Sequence, residues 1–119
     1  MIAAVLALLL GTAAATAQEG WQSRDGAELQ ALDKVNARTA PLSAKVGEPV
    51  RYGTLTVTVK ACRVRPDGQA TDAAAWLEIT DSRTARGVVP VFNGWMFANA
   101  PSVSMLEHPV YDIRVLRCR

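Results

Sequence analysis

The segment Leu55-Thr56-Val57-Thr58-Val59-Lys60-Ala61 places apolar residues on odd numbers and Thr or Lys on even ones. A period of two marks a β-strand with one face buried and one wet, so this is the clearest element of the chain. Weaker strand patterns lie on either side of it. Leu29–Val35 and Ala40–Val46 precede it, and Gly47-Glu48-Pro49 makes a turn. Val50-Arg51-Tyr52 then leads through Gly53 into the central strand. Arg65-Pro66-Asp67-Gly68 ends that strand with strong turn chemistry. A further strand is expected over Ala74–Ile79 and a polar loop over Asp81–Gly87. Val88–Phe92 resumes strand character, with Pro90 placing it at a sheet edge or a bulge. Asn93-Gly94 between apolar flanks predicts a hairpin; the rival reading is a bulge that re-aims Trp95 within one long bent strand. Asn99–Pro109 reads as a loop with room for one helical turn after Pro101, and Pro109 holds His108 extended. Val110–Leu116 closes the chain as a strand. No segment sustains a helical period. The expected fold is therefore all-β: a small single-domain sandwich or barrel, mostly antiparallel, with one disulfide. Leu55, Val57, Val59, Leu77, Ile79, Ile113 and Val115 should point inward, and Trp76 and Tyr111 need polar partners if they are buried too.

The first residues change the picture of where this fold resides. Ile2–Leu10 is an apolar run followed by small residues and Ala15-Thr16-Ala17. That pattern predicts a secretory signal over residues 1–17, cleaved after Ala17, with a soluble periplasmic product. The run is too short for a membrane span, which needs roughly 20 apolar residues. It is atypical in having no Lys or Arg before the apolar core, and no Cys stands at the cleavage site to take a lipid. Residues 18–28 read as a flexible lead-in, in which Trp21 is out of character, and residues 29–119 as the β domain. The 119-residue chain has thirteen Lys and Arg against eleven Asp and Glu, a formal charge of +2. Ten of the thirteen cations are Arg, whose planar fork suits anionic ligands. A coding bias explains the excess without any function and is the favoured reading.

Cys62 and Cys118 are the only thiols and stand at the ends of two expected strands. In an exported protein they are most simply one disulfide. Both fall on even numbers, whereas the inward residues before them are odd. The alternation thus puts both sulfurs on the wet face of one sheet, or beyond its edge. Such a bridge would gather Arg63, Arg65, Arg117 and Arg119 into a cationic cluster, with Asp67 and the C-terminal carboxylate offsetting part of the charge. The sharper reading of that cluster is an anion-binding patch, and the blander one a solvated strand end.

Candidate chemistry is concentrated in Val91–Tyr111, which holds both Phe, Trp95, Tyr111, Met96, Met105 and the only His, His108. Trp95, Phe97, His108 and Tyr111 are candidate binding residues, together with Arg63, Arg65 and Arg117; the segment could equally be core. Ser102, Ser104, Glu107 and Asp112 lie close enough to His108 to spell a Ser-His-acid set. Neither Ser sits in a nucleophile elbow, however, and groups from one loop seldom converge. His108 is better read as bracing its loop through hydrogen bonds to backbone. Glu78 and Asp81 read as ordinary surface acids. One His and two distant Cys do not make a metal site. No Cys-x-x-Cys pair or phosphate-cradling loop is present, so no cofactor is expected, and an exported domain of charge +2 is not expected to bind nucleic acid.

Several stretches together carry a resemblance. They are Leu32-Asp33-Lys34-Val35, Gly47-Glu48-Pro49-Val50, Gly53-Thr54-Leu55 leading to Cys62, Phe92-Asn93-Gly94-Trp95-Met96-Phe97-Ala98, Ala100-Pro101, and Glu107-His108-Pro109-Val110-Tyr111-Asp112 before Cys118. From Leu29 to Arg119 the chain resembles an uncharacterised family of exported alphaproteobacterial proteins, domain of unknown function 2155. The resemblance implies a Gram-negative source and a periplasmic address, and it brings no activity. One departure is Arg114, where relatives often carry an aromatic, so a surface contact made by that ring is in doubt here. The expected function is a non-catalytic periplasmic module that binds another envelope protein or an envelope component. The alternatives are an envelope hydrolase using His108 and a purely structural envelope protein.

Overall fold

A computed structural model describes residues 20–65 and 72–119. The expected signal segment, the cleavage point and the Pro66-Asp67-Gly68 turn lie outside the described residues. Eight strands follow in order: β1 Gln22–Arg24, β2 Gly26–Asp33, β3 Arg38–Lys45, β4 Val50–Tyr52, β5 Leu55–Val64, β6 Ala73–Asp81, β7 Val89–Phe97 and β8 Tyr111–Cys118. All pairings are antiparallel. One sheet has the order β1-β5-β6-β7, with β4 also paired to β5, and the other has the order β3-β2-β8. They face each other as an open sandwich, not a closed barrel. No helix occurs among the described residues.

The alternation read from the sequence places the core. Leu55, Val57, Val59, Leu77, Ile79, Ile113 and Val115 are all buried between the sheets. Ala27, Leu29 and Ala31 of β2 join them, as do Met96 of β7 and Leu106 from the loop before β8. Each fully buried aliphatic side chain contributes on the order of 1.5–3 kcal/mol by leaving water. The β4–β5 hairpin turns at Gly53, whose φ of 58° suits a residue without a Cβ. An added Cβ there would fall on the hydroxyl of Tyr111. The same glycine thus permits both the turn and the close approach of an aromatic ring.

The disulfide joins Cys62 to Cys118 with Cα atoms 5.6 Å apart. It does not lie on the wet face. Cys62 is 1% exposed and points into the core. Two bulges reverse the parity that put the sulfurs outside. In β5, Val59 opposes Leu77 but Ala61 opposes Trp76, so Lys60 is an extra residue. In β8, Val115 opposes Leu29 and Arg117 opposes Glu28, so Leu116 is extra. An extra residue shifts every following side chain to the other face. Because β5 and β8 belong to different sheets, the bridge is a staple through the sandwich.

Two further expectations need correction. Within the lead-in read over residues 18–28, the described residues 20–28 are largely strand, comprising β1 and the start of β2. The chain crosses between sheets at Asp25, where the N–H groups of Asp25 and Gly26 both donate to the Arg119 carbonyl at 3.1 Å. The hairpin at Asn93-Gly94 does not form, because β7 runs unbroken from Val89 to Phe97 against β6. The irregularity lies earlier: Ile79 opposes Phe92 and Thr80 opposes Pro90, leaving Val91 as the bulged residue. Pro90 is therefore both at an edge and beside a bulge. Ala100–Val103 forms a hydrogen-bonded turn but no helix.

Candidate functional site

The candidate residues of the aromatic segment divide between two faces of the same sheet. Along β7, Phe92, Gly94 and Met96 lie opposite the inward residues Ile79, Leu77 and Ala75. Asn93, Trp95 and Phe97 therefore project outward, opposite Glu78, Trp76 and Ala74. The β5 bulge puts Arg63 on this outer face too, opposite Ala74. Trp76 and Trp95 meet edge to face, with centroids 5.6 Å apart and planes at 87°. The Trp76 indole N–H donates to Asn93 Oδ1 at 2.9 Å, the polar partner that a half-covered Trp requires.

The guanidinium of Arg63 lies over Trp95 at 5.4 Å from the ring centroid, and that of Arg65 over Trp21 at 5.0 Å. Trp21, Arg63, Ala74, Trp95 and Phe97 line an open cleft of about 280 Å³. Among the described residues neither guanidinium is in a salt bridge with a carboxylate. The cleft thus offers aromatic walls, an apolar floor and a cation held in place by ring faces. It contains no nucleophile and no acid–base pair.

His108 and Tyr111 belong elsewhere. His108 Nδ1 accepts hydrogen bonds from the backbone N–H groups of Val110 and Tyr111, at 3.0 and 3.1 Å. Two donors aimed at Nδ1 assign the ring proton to Nε2, which is 2.7 Å from Asp81 Oδ2. Both side chains are only 8% exposed. Asp81 ends β6, and its other oxygen accepts from the Arg83 N–H at 2.8 Å. The hydrogen bond from His108 holds the Asp81 carboxyl below the usual carboxylate range, at about 2, against the opposing effect of burial; the Arg83 N–H also lowers it. Tyr111 stacks obliquely on His108 at 5.3 Å and meets Tyr52 edge to face at 5.6 Å. Lys34 Nζ donates to the His108 carbonyl at 2.7 Å. His108 is therefore a brace, as read from the sequence, but its carboxylate is Asp81 and not Glu107 or Asp112. Asp81, taken for a surface acid, is buried.

The Ser-His-acid set does not assemble. Ser102 and Ser104 line a separate cavity of about 120 Å³ with Met96, Met105 and Asp112, and His108 is not part of its wall. The four-arginine cluster does not form as one patch either. Arg63 and Arg65 turn to the aromatic face. Arg117 is exposed on the outer side of the other sheet, opposite Glu28. Arg119 Nε is 2.9 Å from Glu28 Oε1. Among the described residues no group of three or more His, Cys, Asp or Glu could hold a metal. Sequence reasoning missed Trp21 and Trp76 as members of the outer cluster. The alternation of Trp76 with inward Leu77 and Ile79 carried the signal for one; Trp21 lay in a segment read as flexible.

One curated protein is similar to this chain at low identity. It is an uncharacterised protein of Rickettsia prowazekii (strain Madrid E), 28% identical over 88 residues, a stretch covering 74% of this chain and 57% of the relative. The aligned part thus spans little more than half of that relative's length. No solved structure matches. A family model described as "Uncharacterized protein conserved in bacteria (DUF2155)" matches residues 27–118, from the second residue of β2 to the cysteine that ends β8, and the chain belongs to that family.

Proposed function

We propose that the protein is an exported, non-catalytic binding module of the bacterial envelope that docks another envelope component on the outer face of the β1-β5-β6-β7 sheet. The observation that carries this reading is the cleft between Trp21 and Trp95, with Arg63 laid over the Trp95 ring. Trp and Arg are the side chains most enriched where binding energy concentrates. Here Arg63 is exposed, and Trp21 and Trp95 are half-buried, on a sheet whose other face already supplies the core. The apolar run before Ala15-Thr16-Ala17 supports export. A cysteine pair at bonding distance agrees with an oxidising compartment. A hydrolase using His108 is the weaker reading, because both ring nitrogens are engaged and the ring is buried.

The test is affinity capture from a periplasmic extract with three baits compared side by side. Wild-type protein and Leu116→Ala, a change on the opposite sheet, should retain the same partner. Trp95→Ala should lose it while unfolding within about 1 kcal/mol of wild type, as expected for a half-exposed residue. A partner retained by Trp95→Ala and by Arg63→Ala would reject this face as the docking site.

A further inference from the structure

The outer face of the β1-β5-β6-β7 sheet carries an excess of positive charge. Its strand cations are Arg51, which opposes outward Thr56, Lys60 at the β5 bulge, and Arg63, which opposes Ala74. Among the described residues the strands offer this face one acid, Glu78, and its carboxylate lies 4.0 Å from the Lys60 ammonium. Lys60 and Glu78 offset each other. Arg51 and Arg63 are left in no salt bridge among the described residues, and the same holds for Arg65 over Trp21. Asp72, which precedes β6, spends Oδ1 on the N–H groups of Ala73 and Asn99, at 2.8 and 3.0 Å. A ring face answers the charge of a guanidinium but accepts few of its five N–H donors. A carboxylate takes two of them at once.

We propose that the occupant of the cleft is an acidic peptide segment of a partner protein. One large aromatic or aliphatic side chain enters the recess lined by Trp21, Trp95 and Phe97, and a neighbouring Asp or Glu meets the Arg63 guanidinium. This inference rests on the docking role of the outer face and names the chemistry of what docks there. Size favours a single anchor: about 280 Å³ falls just below the roughly 300–1,000 Å³ of sites that enclose a whole small molecule. A pocket for one buried side chain beside an Arg is the usual form of a hot spot, and paired Arg residues read acidic motifs. An anionic membrane surface is the other partner that combines apolar matter with negative charge, and this face does not suit it. Interfacial anchors must stand clear of the protein to enter lipid, whereas Trp21, Trp95 and Phe97 are half-buried walls of a recess. Among the described residues the exposed large apolar side chains are Val35, Val46, Val88, Val103, Met105 and Leu116, and none lines the cleft.

The test titrates the folded protein with two blocked peptides and follows its indole N–H resonances by NMR. One probe is acetyl-Glu-Asp-Phe-Asp-Glu-amide, and the other is its neutral isostere, acetyl-Gln-Asn-Phe-Asn-Gln-amide. The acidic peptide should shift the Trp21 and Trp95 signals and bind about tenfold or more tightly than the isostere, the scale of one hydrogen bond to a charged group. Its affinity should fall as salt is raised. Arg63→Gln should bring the acidic peptide down to the level of the isostere. If that variant fails to fold, the two peptides on the wild-type protein decide alone. Equal affinity for both peptides overturns the proposal, and so do Trp21 and Trp95 signals that the acidic peptide leaves unmoved. Vesicles of anionic phospholipid that shift these indoles when the peptide does not would assign the face to a membrane and overturn it too. A partner captured through Trp95 but still retained by Arg63→Gln would refute the acidic occupant while the docking role stands. Capture unaffected by Trp95→Ala would refute both.

Discussion

The two aromatic clusters of this protein both draw residues from Val91–Tyr111, yet they have opposite fates. Tyr52, Tyr111 and His108 form the inner one, closed by a buried hydrogen bond to Asp81. Trp21, Trp76, Trp95 and Phe97 form the outer one, with Arg63 and Arg65 laid over the rings. In the first, polar atoms are consumed internally: both imidazole nitrogens, both Asp81 oxygens and the Lys34 ammonium have partners. In the second, Arg63 lines the cleft, and among the described residues neither guanidinium is in a salt bridge. A titratable cluster in a small protein is thus not by itself a site; what matters is whether its hydrogen-bonding capacity is already spent.

The largest expected effect tests what holds the two faces in place. The Cys62–Cys118 staple joins the sheets across a sequence separation of 56. Replacing both cysteines by Ala, or reducing the bond, should cost about 4 kcal/mol on the chain-entropy estimate. Chemical denaturation of oxidised and reduced protein measures it. Labelling of both thiols in the native protein, isolated without reductant, would remove the staple from the account.

Next comes the inner cluster. His108→Ala leaves the Asp81 carboxylate buried without its main partner and the Val110 and Tyr111 N–H groups without an acceptor. A loss of about 3 kcal/mol in unfolding free energy is expected, in the range for breaking a buried pair by removing one member. A loss below about 1 kcal/mol would show that the pair is not a structural lock, and the contrast between the clusters would fail.

The same pair sets a pH dependence of smaller size. The folded-state pKa of Asp81 is depressed to about 2 from 3.8. Its contribution is therefore fully present above the unfolded value and is lost as pH falls from about 4 towards 2. The shift corresponds to about 2 kcal/mol. Wild-type unfolding free energy should fall by roughly that much more than Asp81→Asn over this window. Parallel curves for the two proteins would contradict the assignment. The smallest change in stability belongs to Trp95→Ala in the outer cluster, which should instead show the largest change in partner capture. That inversion is the sharpest form of the comparison.

The sequence by itself determined most of the strands, the fold class and the inner face of β5, β6 and β8, because the period of two is a local property of each strand. It also determined that Cys62 and Cys118 bond, since they are the only two thiols. Tertiary structure decided the direction in which those sulfurs point. Lys60 and Leu116 are bulged only relative to the strands opposite them, and a bulge is a count against a partner that no single strand records. For the same reason Asn93-Gly94, a strong hairpin signal locally, continues as strand: pairing with β6 from Ala74 to Asp81 outweighs the turn propensity. The Asp81–His108 bond spans 27 positions in sequence, and Trp21 meets Arg65 and the Trp95 cleft only after β1 has paired with the end of β5. Such meetings depend on strand order, which side-chain alternation leaves open because every strand with a buried face satisfies it equally well.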